Sequence, residues 1–221
     1  MITANFIHRT FRIRRGSSIG TAFTIDVDQR QYVVTARHVV EGFDDKSDVG
    51  VFGNGDWTEI AMSLVGHGDG ETDVSVLAPE NPLSPPELPI HASSAGMTYG
   101  QEVYFLGFPY DILGSTIFTD QGYPLPFVKR ATFSCFAGDA YLLDGHNNPG
   151  FSGGPVLFGS PGVPPTNVGA VISGYKFISE PIYHQSVATD LSFKYNTGII
   201  VSYKIEKALA LIGSNPIGAT L

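Results

Sequence analysis

Pro149-Gly150-Phe151-Ser152-Gly153-Gly154-Pro155 is the stretch on which the reading of this chain turns. One hydroxyl stands among three glycines, and glycine lets a backbone turn sharply and run close to other atoms. A serine hydroxyl is a weak nucleophile at neutral pH and needs a neighbouring base to take its proton. Two upstream segments carry residues of the right kind. Tyr32-Val33-Val34-Thr35-Ala36-Arg37-His38-Val39-Val40 contains an imidazole, with an unperturbed pKa of about 6.5. Thr72-Asp73-Val74-Ser75-Val76-Leu77 contains a carboxylate. Each residue also has a plainer reading. Ser152 fits a glycine-rich turn, His38 the end of a β-rich run, and Asp73 a turn after Gly66, Gly68 and Gly70.

Taken together, the three segments resemble those of chymotrypsin-like (trypsin-like) serine proteases. The order His38, Asp73, Ser152 along the chain is the order in that family. The resemblance implies an all-β fold of two six-stranded antiparallel β-barrels with a short C-terminal helix. Residues 1–88 would form the first barrel and carry His38 and Asp73. Residues 89–221 would form the second and carry Ser152. It also implies roles. Ser152 attacks a carbonyl, His38 is the general base, and Asp73 orients the imidazole. The N–H groups of Gly150 and Ser152 would form an oxyanion hole, which stabilises the charge that develops on the carbonyl oxygen.

The same resemblance places His146, six residues before the nucleophile, at the base of the S1 pocket. Ile172-Ser173-Gly174 resembles the strand that lines this pocket and pairs with the substrate backbone. With no carboxylate at position 146, a choice of Lys or Arg is not expected. His146 bonded to its own loop and reading nothing is an equal alternative. Phe151 stands where digestive members carry an aspartate that pairs with a freed N-terminus. The chain therefore resembles the bacterial HtrA-like branch, without a PDZ module, and activation by propeptide cleavage is not expected.

Gly150-Phe151-Ser152-Gly153-Gly154 also fits the G-x-S-x-G elbow of α/β-hydrolases. That fold needs an acid and then a histidine after the serine. Downstream of Ser152 the only histidine is His184, with Glu180 crowded just before it. Partners in that fold come from separate strand ends, so the esterase reading is set aside.

The chain has 221 residues and a formal net charge of −8. An acidic chain argues against nucleic acid as the main partner. Arg9, Arg12, Arg14 and Arg15 alternate with Phe11 and Ile13, which predicts a strand with one polar face. Cys135 is the only cysteine, so no intrachain disulfide can form, and a reducing, cytoplasmic setting is expected. It is read as a small core residue. Residues 1–16 hold no apolar run of signal-peptide length and no stretch is long enough for a membrane span. No cofactor and no metal are expected, since no His/Cys/Asp cluster has ligand spacing.

Short runs such as Gly20–Val27, Gln31–Thr35, Val103–Gly107, Gly154–Phe158 and Val168–Ser173 read as strands between turn residues. Pro79, Pro82, Pro85, Pro86 and Pro89 mark a linker. Ile205, Ala208, Leu209 and Ile212 have helical spacing, with Ser202 as a cap and Gly213 near the end. The expected function is that of a serine endopeptidase acting on protein or peptide substrates through an acyl-enzyme. The alternative is a catalytically silent peptide-binding protein of the same fold.

Overall fold

The computed structural model describes residues 1–109, 122, 124–160 and 162–221. The first half contains α1 (Ala4–His8), β1 (Thr10–Arg15), β2 (Ser18–Val27), β3 (Arg30–Thr35), β4 (Lys46–Gly53), β5 (Asp56–His67) and β6 (Ser75–Pro79). A 3-10 turn spans Arg37–Val40. The second contains β7 (His91–Ala92), β8 (Glu102–Gly107), β9 (Phe127–Ala137), β10 (Ala140–Asp144), β11 (Pro155–Phe158), β12 (Asn167–His184) and β13 (Val187–Lys204). The chain ends with α2 (Ile205–Ser214) and β14 (Ala219–Thr220).

Pairing closes the first six strands on themselves. β1 joins β2 to β4, β5 joins β4 to β6, and β6 returns to β3. In the second half β11 pairs with both β8 and β12, so β8, β9, β10, β13, β12 and β11 form a second antiparallel ring. Closure removes the exposed edges that invite aggregation. Three hairpins turn on two residues with positive φ: Asp28-Gln29, Asn54-Gly55 and Gln185-Ser186. Such turns match the right-handed twist of the strands they join.

The proline-rich stretch after β6 links the two halves, as its composition requires. The split at residue 88 is not clean, however. β14 crosses back to pair with β3 of the first barrel. One apolar core joins Phe23, Val34 and Val76 of the first barrel to Leu106, Leu157 and Val171 of the second, with Ile205, Ala208 and Ile212 of α2. Burying one face of α2 against both barrels ties them together.

Three local expectations change. β1 forms, but its polar face is only partly in solvent: Arg12 is buried over the Phe52 and Trp57 rings, while Arg14 stays partly exposed. Arg9 is fully buried and pairs with Asp26. These arginines therefore serve the first barrel's packing, through cation–π contacts and an ion pair. Ser202 caps no helix. It lies in β13 with its hydroxyl on the Tyr141 carbonyl, and α2 begins only at Ile205. Cys135 is half-buried in β9, opposite Leu142 and beside a register shift.

Candidate active site

His38 sits on the 3-10 turn after β3, anchored by the buried Val39 and Val40. Asp73 lies just before β6. Asp73 grips His38 twice. The backbone N–H of His38 donates to Oδ1 at 3.0 Å, and Nδ1 lies 2.7 Å from Oδ2. The Ser173 hydroxyl donates to the same Oδ2 at 2.6 Å. The hydrogen bond that His38 donates to Asp73 raises the pKa of His38 above 6.5. Burial opposes this, and the charges of Asp73 and Glu41 add to the rise. For Asp73 burial is the largest influence and pushes upward, but the bonds from His38 and Ser173 outweigh it and hold the carboxyl low. The site therefore contains an ionised carboxylate that orients an imidazole and favours its protonated form.

Ser152 reaches the same place from the second barrel, on the loop before β11. Gly150 has φ +100° and Gly153 has φ +86°. A Cβ on Gly153 would lie 2.0 Å from the Thr21 carbonyl oxygen, and one on Gly150 would lie 2.2 Å from that of Phe108. Both positions therefore require glycine twice over, for conformation and for space. The loop is fastened to β2 through Thr21. Its N–H donates to the Ser152 carbonyl at 2.8 Å and its hydroxyl to the Gly150 carbonyl at 2.7 Å. Beneath the nucleophile Phe151 is fully buried against Phe105. Lys129 supports the loop from the other side, donating to the His146 carbonyl and to Asn148 while lying over the Phe151 ring. Among the described residues, neither Gly150 nor Ser152 has an acceptor for its N–H.

The Ser152 hydroxyl donates to the Ser173 carbonyl at 2.8 Å. The structure thus brings His38, Asp73, Ser152 and Ser173 together, with the serine proton on a backbone carbonyl. Ile172 is buried and anchored to the nucleophile loop, since Gly153 N–H donates to its carbonyl and its own N–H donates to Gly154. Gly174 accepts from the Asn147 side chain at 3.2 Å. His146 is exposed, with its ring against Asn148. The buried side chain of this turn is Asn147, which also receives the Asn196 amide on its carbonyl.

Sequence reasoning missed Thr21, Lys129 and Asn147. They lie in unremarkable sequence and act by reaching carbonyls or side chains of the loop. His67 was missed too; it bridges the Ser75 hydroxyl and the Phe43 carbonyl beside Asp73. A cleft of about 480 Å³ lies there, lined by His38, Glu41, Phe43, His67 and Asp73 among others. A larger cavity of about 970 Å³, between Tyr99–Tyr104 and Phe158–Thr166, holds none of these residues. Among the described residues no cluster of three His, Cys, Asp or Glu could hold a metal ion.

The trypsin-like peptidase domain family matches residues 20–160, well over half of the chain and the span that holds all three residues. The chain belongs to this family. As a member it is a trypsin-like serine protease. No match is found among curated protein sequences. Solved structures of low identity share the fold. The inactive form of Rv3671c from M. tuberculosis H37Rv is 19% identical, with a TM-score of 0.57 over 96% of this chain and 89% of that one. The HtrA-type protease AlgW, solved with a tripeptide, is 21% identical, with a TM-score of 0.58. The trypsin-like peptidase described here covers 96% of its own length in that match but only 61% of AlgW. Deg5 is 16% identical, with a TM-score of 0.59 over 93% of this chain.

Proposed function

We propose that this trypsin-like peptidase is an endopeptidase that cleaves peptide or protein substrates through a His38–Asp73–Ser152 triad and an acyl-enzyme. The observation that carries the reading is the doubly bonded Asp73–His38 pair, linked through Ser173 to the Ser152 hydroxyl. His38 takes the Ser152 proton as the hydroxyl attacks the scissile carbonyl, and then gives it to the leaving amine. Asp73 stabilises the imidazolium in between. The oxyanion is received by the N–H groups of Gly150 and Ser152. Water, activated by His38, then hydrolyses the ester and restores Ser152. For the serine to react, its proton must first leave the Ser173 carbonyl for His38. A substrate N–H that claims this carbonyl would release it.

The rotated hydroxyl favours one other reading, a peptide-binding protein that does not turn over. Reaction with a fluorophosphonate, followed by intact mass, separates the two. One adduct that vanishes in Ser152→Ala supports the enzyme. No adduct on the intact protein removes the catalytic claim. A cytoplasmic location goes with the enzyme reading, because a single cysteine allows no intrachain disulfide. Cell fractionation tests it, and recovery in a secreted fraction would overturn it.

A further inference from the structure

β12 and β13 outrun their barrel. β12 pairs last with β11 at Val171, and β13 meets β10 only from Ile199 onward. Residues 174–198 therefore form a two-stranded ribbon turned at Gln185-Ser186, about 30 Å long at the usual rise per residue. Among the described residues, neither edge of this ribbon has a further strand beside it. A two-stranded ribbon is marginal in water and needs packing against another element for independent stability.

One face of the ribbon is apolar. Ile178 pairs with Tyr195, Glu180 with Phe193, and His184 with Val187. Residues paired across a ladder share a face, and alternation adds Ile182 and Leu191. β13 inserts two extra residues opposite Ile182, and a shift of two leaves each side chain on its own face. Two contacts within the face agree with this. The Phe193 and Tyr195 rings lie 5.8 Å apart, and the Tyr195 hydroxyl donates to Glu180 at 3.2 Å. Ile178, Ile182, Val187, Leu191, Phe193 and Tyr195 are 38–68% exposed. They leave on the order of 600 Å² bare, the top of the range for a monomer's largest patch. Most of this surface stands on β13, away from the strand that follows Ser173. The opposite face is more polar, with Lys194 over the Phe177 ring.

A partner that steadies such a ribbon has to be present whenever the chain is folded. A passing substrate is not, whereas a second copy of this chain is. Size and charge point to the copy as well. Covering the face on both copies removes about 1,200 Å² from water, the lower bound for a specific interface. Lys176 and Lys194 balance Glu180 and Asp190, so the ribbon is neutral on a chain of net charge −8. Two ribbons therefore meet without the repulsion between like-charged bodies. Laid face to face and antiparallel, they bring Phe193 of one copy over Leu191 of the other, and Tyr195 over Val187. Each contact is made twice, as a two-fold axis requires. The barrels then stand at opposite ends of the paired ribbons, about 30 Å apart, several times the ~8 Å Debye length in physiological salt. We propose that the β12–β13 ribbon is a dimerisation arm, on which two copies of this chain pack through the face of Leu191 and Phe193. The face is separate from the His38, Asp73 and Ser152 side chains, so the arm does not depend on the endopeptidase reading.

Sedimentation velocity of the Ser152→Ala protein, free of self-cleavage, tests the arm. Loading from about 1 to 100 µM brackets the micromolar dissociation constant expected at the small end of the interface range. The sedimenting species should move from the mass of one chain to that of two. Leu191→Asp with Phe193→Asp should weaken the dimer roughly 100-fold or more, as loss of two central anchors does. Tyr183→Asp is the control. Tyr183 is 64% exposed near the same tip, against 67% for Leu191, but on the opposite face, so its loss should leave the dimer as it was. A protein without the ribbon substitutions that stays monomeric throughout overturns the arm, whatever the variants do. So does a dimer that the double substitution leaves intact, or one that Tyr183→Asp dissolves equally. Species that keep growing past the dimer would mean open-ended association in place of a closed pair, and overturn it too. A monomer that floats with phosphatidylcholine vesicles would give the face to a lipid surface. Absence of the fluorophosphonate adduct on the intact protein would count against the catalytic reading and leave the arm untouched.

Discussion

Asp73 and His38 are joined through their side chains, whereas Ser152 is placed by its backbone. On the first-barrel side, hydrogen bonds of 2.6–3.0 Å run from His38 and Ser173 to a single carboxylate. On the second-barrel side, the loop is pinned by Thr21 and by glycines with no room for a Cβ. A side-chain pair can be weakened by degrees, because water and neighbouring dipoles partly replace a lost partner. A backbone wedged against another backbone cannot give in that way. The two halves should therefore fail differently when altered.

The largest effect is expected at Gly153. Valine there would have to hold φ +86° and push its Cβ into the Thr21 carbonyl. Left-handed backbone and overpacking together cost about 3 kcal/mol or more, roughly 6–12 °C in Tm for a chain of this size. Gly153→Val should melt early in a thermal scan and give no fluorophosphonate adduct. A variant with parental Tm and parental labelling would show that the loop is not set by its backbone.

Asp73→Asn tests the other half. The amide keeps the shape, so Tm should change little. Asparagine, however, cannot hold the imidazole in the required tautomer or stabilise its charged form. Labelling at pH 8 should slow by about 10⁴-fold. A loss below tenfold would mean that His38 does not depend on Asp73.

Thr21→Val sits where the halves meet and should do some of each. It removes the hydroxyl that donates to the Gly150 carbonyl and accepts from Phe108 N–H. Leaving such groups unpaired costs about 1–3 kcal/mol. We expect Tm to fall by roughly 3–10 °C, labelling to slow about tenfold, and Thr21→Ser to restore both. Loss of stability with labelling intact would confine Thr21 to packing.

The same contrast explains what could be read beforehand. The glycines of the Ser152 loop and the Ala36–His38 segment are dictated by local backbone, so they appear in the sequence as compact patterns. Both barrels follow from short strands between turn residues. Thr21 was not legible, because a threonine in a strand looks alike whether its hydroxyl meets a loop or nothing. Asn147 escaped for a similar reason: its burial depends on Gly174 and Asn196, distant in sequence. The ribbon was truncated at Ser173 because its tip is Gln185-Ser186. Asn54-Gly55 announces a tight hairpin, whereas Gln and Ser adopt positive φ only because the ladder on either side demands it. Ser202 was misplaced by the opposite error: its spacing suited a cap, but pairing with Tyr141 carried the strand past it.

The smallest effect, and the one that isolates electrostatics from geometry, is expected at Glu41. Asp73 raises the pKa of His38 chiefly by its hydrogen bond, burial works against it, and the exposed Glu41 adds charge without contact. Only neutral His38 can take the serine proton. A raised pKa keeps the imidazole protonated to higher pH, so labelling should rise through a midpoint above 6.5. Glu41→Gln removes one raising influence and leaves every hydrogen bond of the site in place. The midpoint should therefore move down, while the plateau rate at high pH stays the same. High salt should move the parental midpoint the same way, because an exposed charge is screened, and should do less to the variant. A midpoint that stays put, or moves up, would mean that His38 does not sense the charge of Glu41, and that its titration is governed by Asp73 and burial alone.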